Sequence, residues 1–110
     1  MAKLLKTVSV LGGNYDVYID DYIDDCDGYC KRYNREIHVL KAKRQLDGKD
    51  STREEKESRY REVMRHELMH AFFNETGLEK YGYDETLVQF LATVFPKMQS
   101  VFEELGCDKE

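Results

Sequence analysis

The chain has 110 residues, 41% of them apolar and 35% charged, with a net charge of -5. That is one domain's worth of globular composition, and it excludes disorder and collagen-like repeats. No apolar run approaches the roughly 20 residues that cross a membrane, and the negative balance argues against a nucleic-acid binder that works through a broad basic surface.

Residues 1–45 read as strands and turns. Leu4, Leu5, Val8 and Val10 run into the turn cluster Gly12-Gly13-Asn14, after which Tyr15, Val17 and Ile19 alternate with polar neighbours. This predicts a hairpin with one apolar face. Residues 20–27 hold aspartates at 20, 21, 24, 25 and 27, whose mutual repulsion predicts a solvated loop. A calcium loop is excluded, because aligning Gly28 with the obligatory glycine places Ile23 and Asn34 where the first and last carboxylates are needed. Residues 29–33, a turn at Asn34-Arg35 and residues 36–42 make a second hairpin, with Ile37 and Val39 on one face and His38 and Leu40 on the other.

Residues 41–49 are basic and aperiodic and read as a connection ending at Gly48-Lys49-Asp50. Ser51-Thr52-Arg53-Glu54 has the form of a capping box, so a helix is predicted over 51–76, stopped by Gly77. It would be about 36 Å long at 1.5 Å per residue. Its charged first half, residues 53–61, is expected to project into solvent, and residues 63–73 to supply the core. After a short connector containing Gly82, Asp84 is a good N-cap for a second helix over 84–105. Leu87, Leu91, Val94, Phe95, Met98, Val101, Phe102 and Leu105 form a wide apolar stripe, read as core packing. Pro96, the only proline, predicts a kink or restart near Phe95, and residues 107–110 are expected to fray.

Cys26, Cys30 and Cys107 cannot all pair within the chain, and free thiols in a reducing compartment are the better reading. Lys3 and Lys6 are followed by no apolar signal-peptide core, so a cytoplasmic location is expected. Cys26, Cys30 and His38 lack the four closely spaced ligands of a structural zinc site, and the two thiols read as partly buried members of a hairpin.

The chemistry is concentrated in His66-Glu67-Leu68-Met69-His70, an H-E-x-x-H sequence on the first predicted helix. Imidazoles at i and i+4 face the same way about 6 Å apart, close enough for both to bind one Zn²⁺. Glu67, offset by about 100° of rotation, reaches beside the metal and can take a proton from a bound water. At 100° per residue, Tyr60, Met64, Leu68, Ala71 and Phe72 lie on one side and the two histidines nearly opposite, flanked by Met69 and Phe73.

A catalytic zinc needs a third protein ligand. The extended motif with a third histidine is excluded, since Phe73 and Thr76 stand where its glycine and histidine would be. His38, on a strand, has no motif behind it, so a carboxylate is the better candidate. Glu85 lies inside the second helix on a defined face, whereas Asp84 is explained by capping, and Glu85 is favoured.

Residues 65–72, Thr76-Gly77-Leu78, and Asp84-Glu85 leading into residues 88–92 resemble the compact zincin metallopeptidases of bacteria and phages, nearest to the ImmA/IrrE-like group. The resemblance covers residues 28–95; Val88-Gln89 replaces the Ala-Asn pair that often follows the ligand glutamate in that group. It implies a small twisted sheet, an active-site helix, and a following helix that supplies a glutamate. It also implies His66 and His70 as zinc ligands, Glu67 as general base and Glu85 as third ligand. The strand carrying His38 is then expected to be an antiparallel edge for an extended substrate.

The resulting expectation is a single-domain α+β fold over residues 1–110, with a small antiparallel or mixed sheet packed on two long helices. Its function would be zinc-dependent hydrolysis of a protein or peptide substrate, with one Zn²⁺ and no nucleic-acid or membrane partner. Tyr83, or Tyr81 beside it, is the candidate donor to the developing oxyanion. The alternative is a non-catalytic zinc-containing phage or prophage regulatory module. Oligomeric state is left open.

Overall fold

Alternating strands from the N-terminal residues form the first hairpin of the computed structural model, which describes residues 1–47 and 50–110. β1 (Ala2–Val10) and β2 (Gly13–Asp20) pair antiparallel around Leu11-Gly12. Both turn residues have positive φ, 49° and 93°, the combination that matches the strands' own twist. Asp20, expected in the solvated loop, is instead the buried last residue of β2; residues 21–27 form no strand, and β3 (Gly28–Lys31) and β4 (Glu36–Leu40) make the second hairpin. The end of the basic connection, Gly48-Lys49, lies outside the described residues.

The sheet order is β1-β2-β4-β3, with β4 parallel to β2 and antiparallel to β3. The sheet is therefore mixed, and the strand carrying His38 is interior, not an edge as expected; the edge on that side is β3. The reason is that β4 has two faces to bury. Ile37 and Val39 point into the core, while His38 is stacked between Tyr18 and Tyr29 with ring centres 4.7 Å away on each side. Its Nδ1 lies 2.9 Å from Asp20 and its Nε2 3.1 Å from Glu36.

α1 (Arg53–Glu75) lies across the other sheet face, where Val63 and Ala71 join Val10, Tyr15, Val17, Ile37 and Val39 in one buried cluster. Tyr60, Met64 and Leu68 pack around it as expected, but Phe72 is exposed and the fully buried line is Val63, Glu67 and Ala71. The charged first half does not simply project. Arg59 pairs with Asp27, and Lys56 Nζ donates to the Lys43 carbonyl, so the helix also braces the acidic loop and the 3₁₀ turn at Ala42–Arg44.

The capping box is shifted by one residue from the expected Ser51–Glu54 pair. The Thr52 hydroxyl accepts from Glu55 N, and the Glu55 carboxylate accepts from Thr52 N, both at 3.1 Å. Thr52→Ala is expected to lower stability by about 1 kcal/mol, read as a urea midpoint, and Ser51→Ala to leave it unchanged.

At the other end, Glu75 would be disfavoured by the helix dipole. The Arg35 guanidinium and the Tyr15 hydroxyl, 3.0 and 2.7 Å away, reverse this and hold its carboxyl below the usual range. A depressed carboxylate pKa adds stability that is present above the unfolded-state value and lost as pH falls through the folded one. Glu75→Gln is therefore expected to cost about 1 kcal/mol at pH 7 and nothing in acid, a difference that paired urea titrations measure.

The one-turn helix α2 (Glu79–Gly82) reverses the chain, and Asp84 Oδ1 accepts from Thr86 N and Leu87 N to start α3 (Glu85–Glu104). α3 neither stops nor restarts at Pro96. Proline leaves the Ala92 carbonyl without its helical donor, and Arg65 Nε of α1 supplies one at 2.6 Å. The apolar stripe is not core, contrary to expectation. Val88 and Ala92 are buried, whereas within the stripe Leu87, Leu91, Val94 and Met98 are half-buried and Phe95, Val101, Phe102 and Leu105 are exposed. The face turned to α1 carries residues 85, 88, 89 and 92, its centre about 130° round the helix from the centre of the stripe.

The fold is α+β, and no helix among the described residues is long and apolar enough to cross a membrane.

Candidate metal centre

Packing of Val63 and Ala71 on the sheet fixes the rotation of α1, which turns His66 and His70 toward the start of α3. There the Glu85 carboxylate spans both rings: Oε2 lies 2.9 Å from His66 Nε2 and Oε1 lies 3.1 Å from His70 Nε2. The ring centres are 5.0 Å apart. Ligand atoms of the three residues all lie within 4.8 Å of one another, and no other such group of three occurs among the described residues. Asp84 is committed to capping, so Glu85 is the carboxylate that meets the histidines.

Two imidazole nitrogens and a carboxylate oxygen are the donor set of a catalytic zinc site with a position left for water or substrate. Burial lowers the His70 pKa, against the pull of Glu85, and so favours the neutral ring that a metal needs.

Glu67 is only 6% exposed, and burial pushes its carboxyl up to about 7; His66 opposes the shift and Glu85 adds to it. A carboxylate poised near neutrality suits a general base. Its burial depends on Gly28 of β3. A Cβ there would lie 2.8 Å from Val63 Cγ1, 3.0 Å from the His38 carbonyl and 3.3 Å from Glu67 Cγ. Gly28→Ala is expected to cost about 1.5 kcal/mol by forcing β3 from α1, and Val63→Ala in the same chain to recover part of the loss. Thermal unfolding of the two variants measures both effects.

His66, Glu67, His70 and Glu85 open on a cleft of about 510 Å³, whose walls include Tyr29, Arg32, Tyr33, Asn74 and Tyr83. Tyr83 stands at the rim, 74% exposed, where core packing does not occupy it; Tyr81 is not on the wall. Arg32 is paired to Glu79 at 2.8 Å. Cys30 is also on the wall, but burial pushes its thiol up to about 12 and removes it as a nucleophile. The expected pair of hairpin thiols is not formed: Cys26 is exposed in the preceding loop. His38 is on the sheet face turned from α1, so it belongs to no metal cluster.

Two residues near the site were not anticipated from sequence. Gln89 contacts His66, and Arg65 anchors α3. Gln89 follows Glu85 by four residues, the spacing that puts two side chains on one helix face. Arg65 is implied only through the carbonyl that Pro96 leaves unpaired. Comparison of the chain with protein-family models, curated proteins and solved structures found no match.

Proposed function

We propose that the chain is a zinc-dependent metallopeptidase in which His66, His70 and Glu85 hold the ion. The observation that carries this reading is the Glu85 carboxylate spanning both imidazoles beside a buried glutamate at the floor of one cleft. Zinc held there would supply Lewis acidity toward a water and toward the scissile carbonyl. Glu67 takes the proton from the attacking water and returns it to the departing amine. Tyr83, at the rim, donates to the oxygen on which negative charge develops. β3, the free edge beside the cleft, can pair with an extended peptide, the role that β4 is too enclosed to play. A reducing, cytoplasmic setting suits three free cysteines.

Metal analysis of purified protein tests the reading. One zinc per chain is expected in the wild type, retained in Glu67→Gln and lost in His70→Ala; wild-type protein that takes up no zinc overturns it.

A further inference from the structure

His66 depends on a side chain, with its Nδ1 2.8 Å from Gln89 Oε1.

The direction of that hydrogen bond follows from the other end of the Gln89 amide. Its nitrogen faces a Glu62 carboxylate oxygen and, at 3.1 Å, Thr93 Oγ1. An ionised carboxylate only accepts, so the NH₂ group must be the end turned to Glu62. The amide oxygen is then fixed as the acceptor facing His66, and Nδ1 is the nitrogen that carries the proton. In the neutral ring Nε2, 2.9 Å from Glu85, then carries the lone pair that an ion held beside that carboxylate would take. Glu62 is itself held by Arg59, which also bonds Asp27 in the loop before β3.

We infer that Gln89 is a positioning residue for the metal site: backed by Glu62, its amide oxygen fixes the ring orientation and tautomer of His66 so that Nε2 is presented to the ion. This rests on the zinc reading above. The ligand's outer hydrogen bond is supplied here by a neutral amide whose polarity is set by a carboxylate one layer further out, so the order of acceptor and donor along Glu62, Gln89 and His66 determines which nitrogen is free.

The experiment is zinc affinity by competition with a chromogenic chelator, together with the urea midpoint of the metal-free protein. It compares wild type, Gln89→Met, and the exchange Glu62→Gln with Gln89→Glu. Gln89→Met keeps the side chain's length but removes the acceptor, and it is expected to weaken zinc binding by about 10- to 100-fold, while the metal-free midpoint measures separately what the lost contact to α1 costs in stability. In the exchange, the carboxylate introduced at position 89 would accept from His66 while the amide introduced at position 62 donates to that carboxylate, so affinity is expected to return to within about threefold of wild type.

Wild-type affinity in Gln89→Met overturns the proposal, as does an exchange variant that binds as weakly as Gln89→Met. If Gln89→Met does not fold, the exchange variant decides alone: near-wild-type affinity supports the relay and weakened affinity overturns it. A wild type that binds no zinc brings down the metal reading and the relay with it, whereas tight binding in both wild type and Gln89→Met removes only the relay.

Discussion

Glu67→Gln is expected to keep one zinc per chain and to lower peptide hydrolysis by about 10²- to 10⁴-fold, the usual contribution of a positioned general base. The substitution preserves shape and removes only the ability to take a proton. It is the sharpest probe because Glu67 is not among the three residues whose ligand atoms converge; it sits beside them, buried under β3. Metal content and turnover should therefore separate. A peptide library incubated with zinc-loaded wild type and variant measures the second, with fragments expected from the wild type alone. Identical profiles with zinc bound in both would assign the chain to the non-catalytic alternative, a zinc-containing binding module.

Elements and ligand candidates are legible in the sequence wherever a local rule governs them. Gly12, the repulsion among the aspartates at 21, 24, 25 and 27, Gly77 and the Asp84 cap each act within a few residues, and the corresponding boundaries appear where expected, except that Asp20 closes β2 and is buried against His38. The His66–His70 spacing is local as well. The capping box is displaced by one residue because Ser51-Thr52 followed by Glu54-Glu55 satisfies the pattern in two registers, and only the backbone chooses between them. What the sequence does not show depends on contacts between distant segments. The parallel pairing of β2 with β4 makes His38 interior, although the continuous run Ile37-His38-Val39-Leu40 is the pattern of a strand covered on both faces. The rotation of α3 differs from expectation for a related reason. Its apolar stripe argues for one face, but Glu85, Gln89 and the Ala92 carbonyl bind α1 through another. That face also buries Val88 and Ala92, and its polar contacts are the ones that assemble the candidate metal centre.

Arg65→Met is expected to lower stability by about 2 kcal/mol in the native chain and by much less in a chain carrying Pro96→Ala. Ala92 is fully buried, and with proline four residues on, its carbonyl has only the Arg65 Nε–H, at 2.6 Å, in place of a helical donor. Removing Arg65 leaves that oxygen unsatisfied, whereas alanine at 96 restores a backbone N–H to it. Urea midpoints for the four chains of this cycle give a coupling of about 1 to 2 kcal/mol if the carbonyl is the shared partner, and equal losses in both backgrounds would dismiss it. Zinc affinity should follow a different pattern. Arg65 precedes His66 and ties α3 to α1 about two helical turns from Glu85, so it also sets how far along α1 the carboxylate lies. Pro96→Ala satisfies the carbonyl within α3 but restores no tie between the helices. The double variant is therefore expected to recover stability while binding zinc as weakly as Arg65→Met, which separates the role of Arg65 in folding from its role in holding Glu85 over the two histidines.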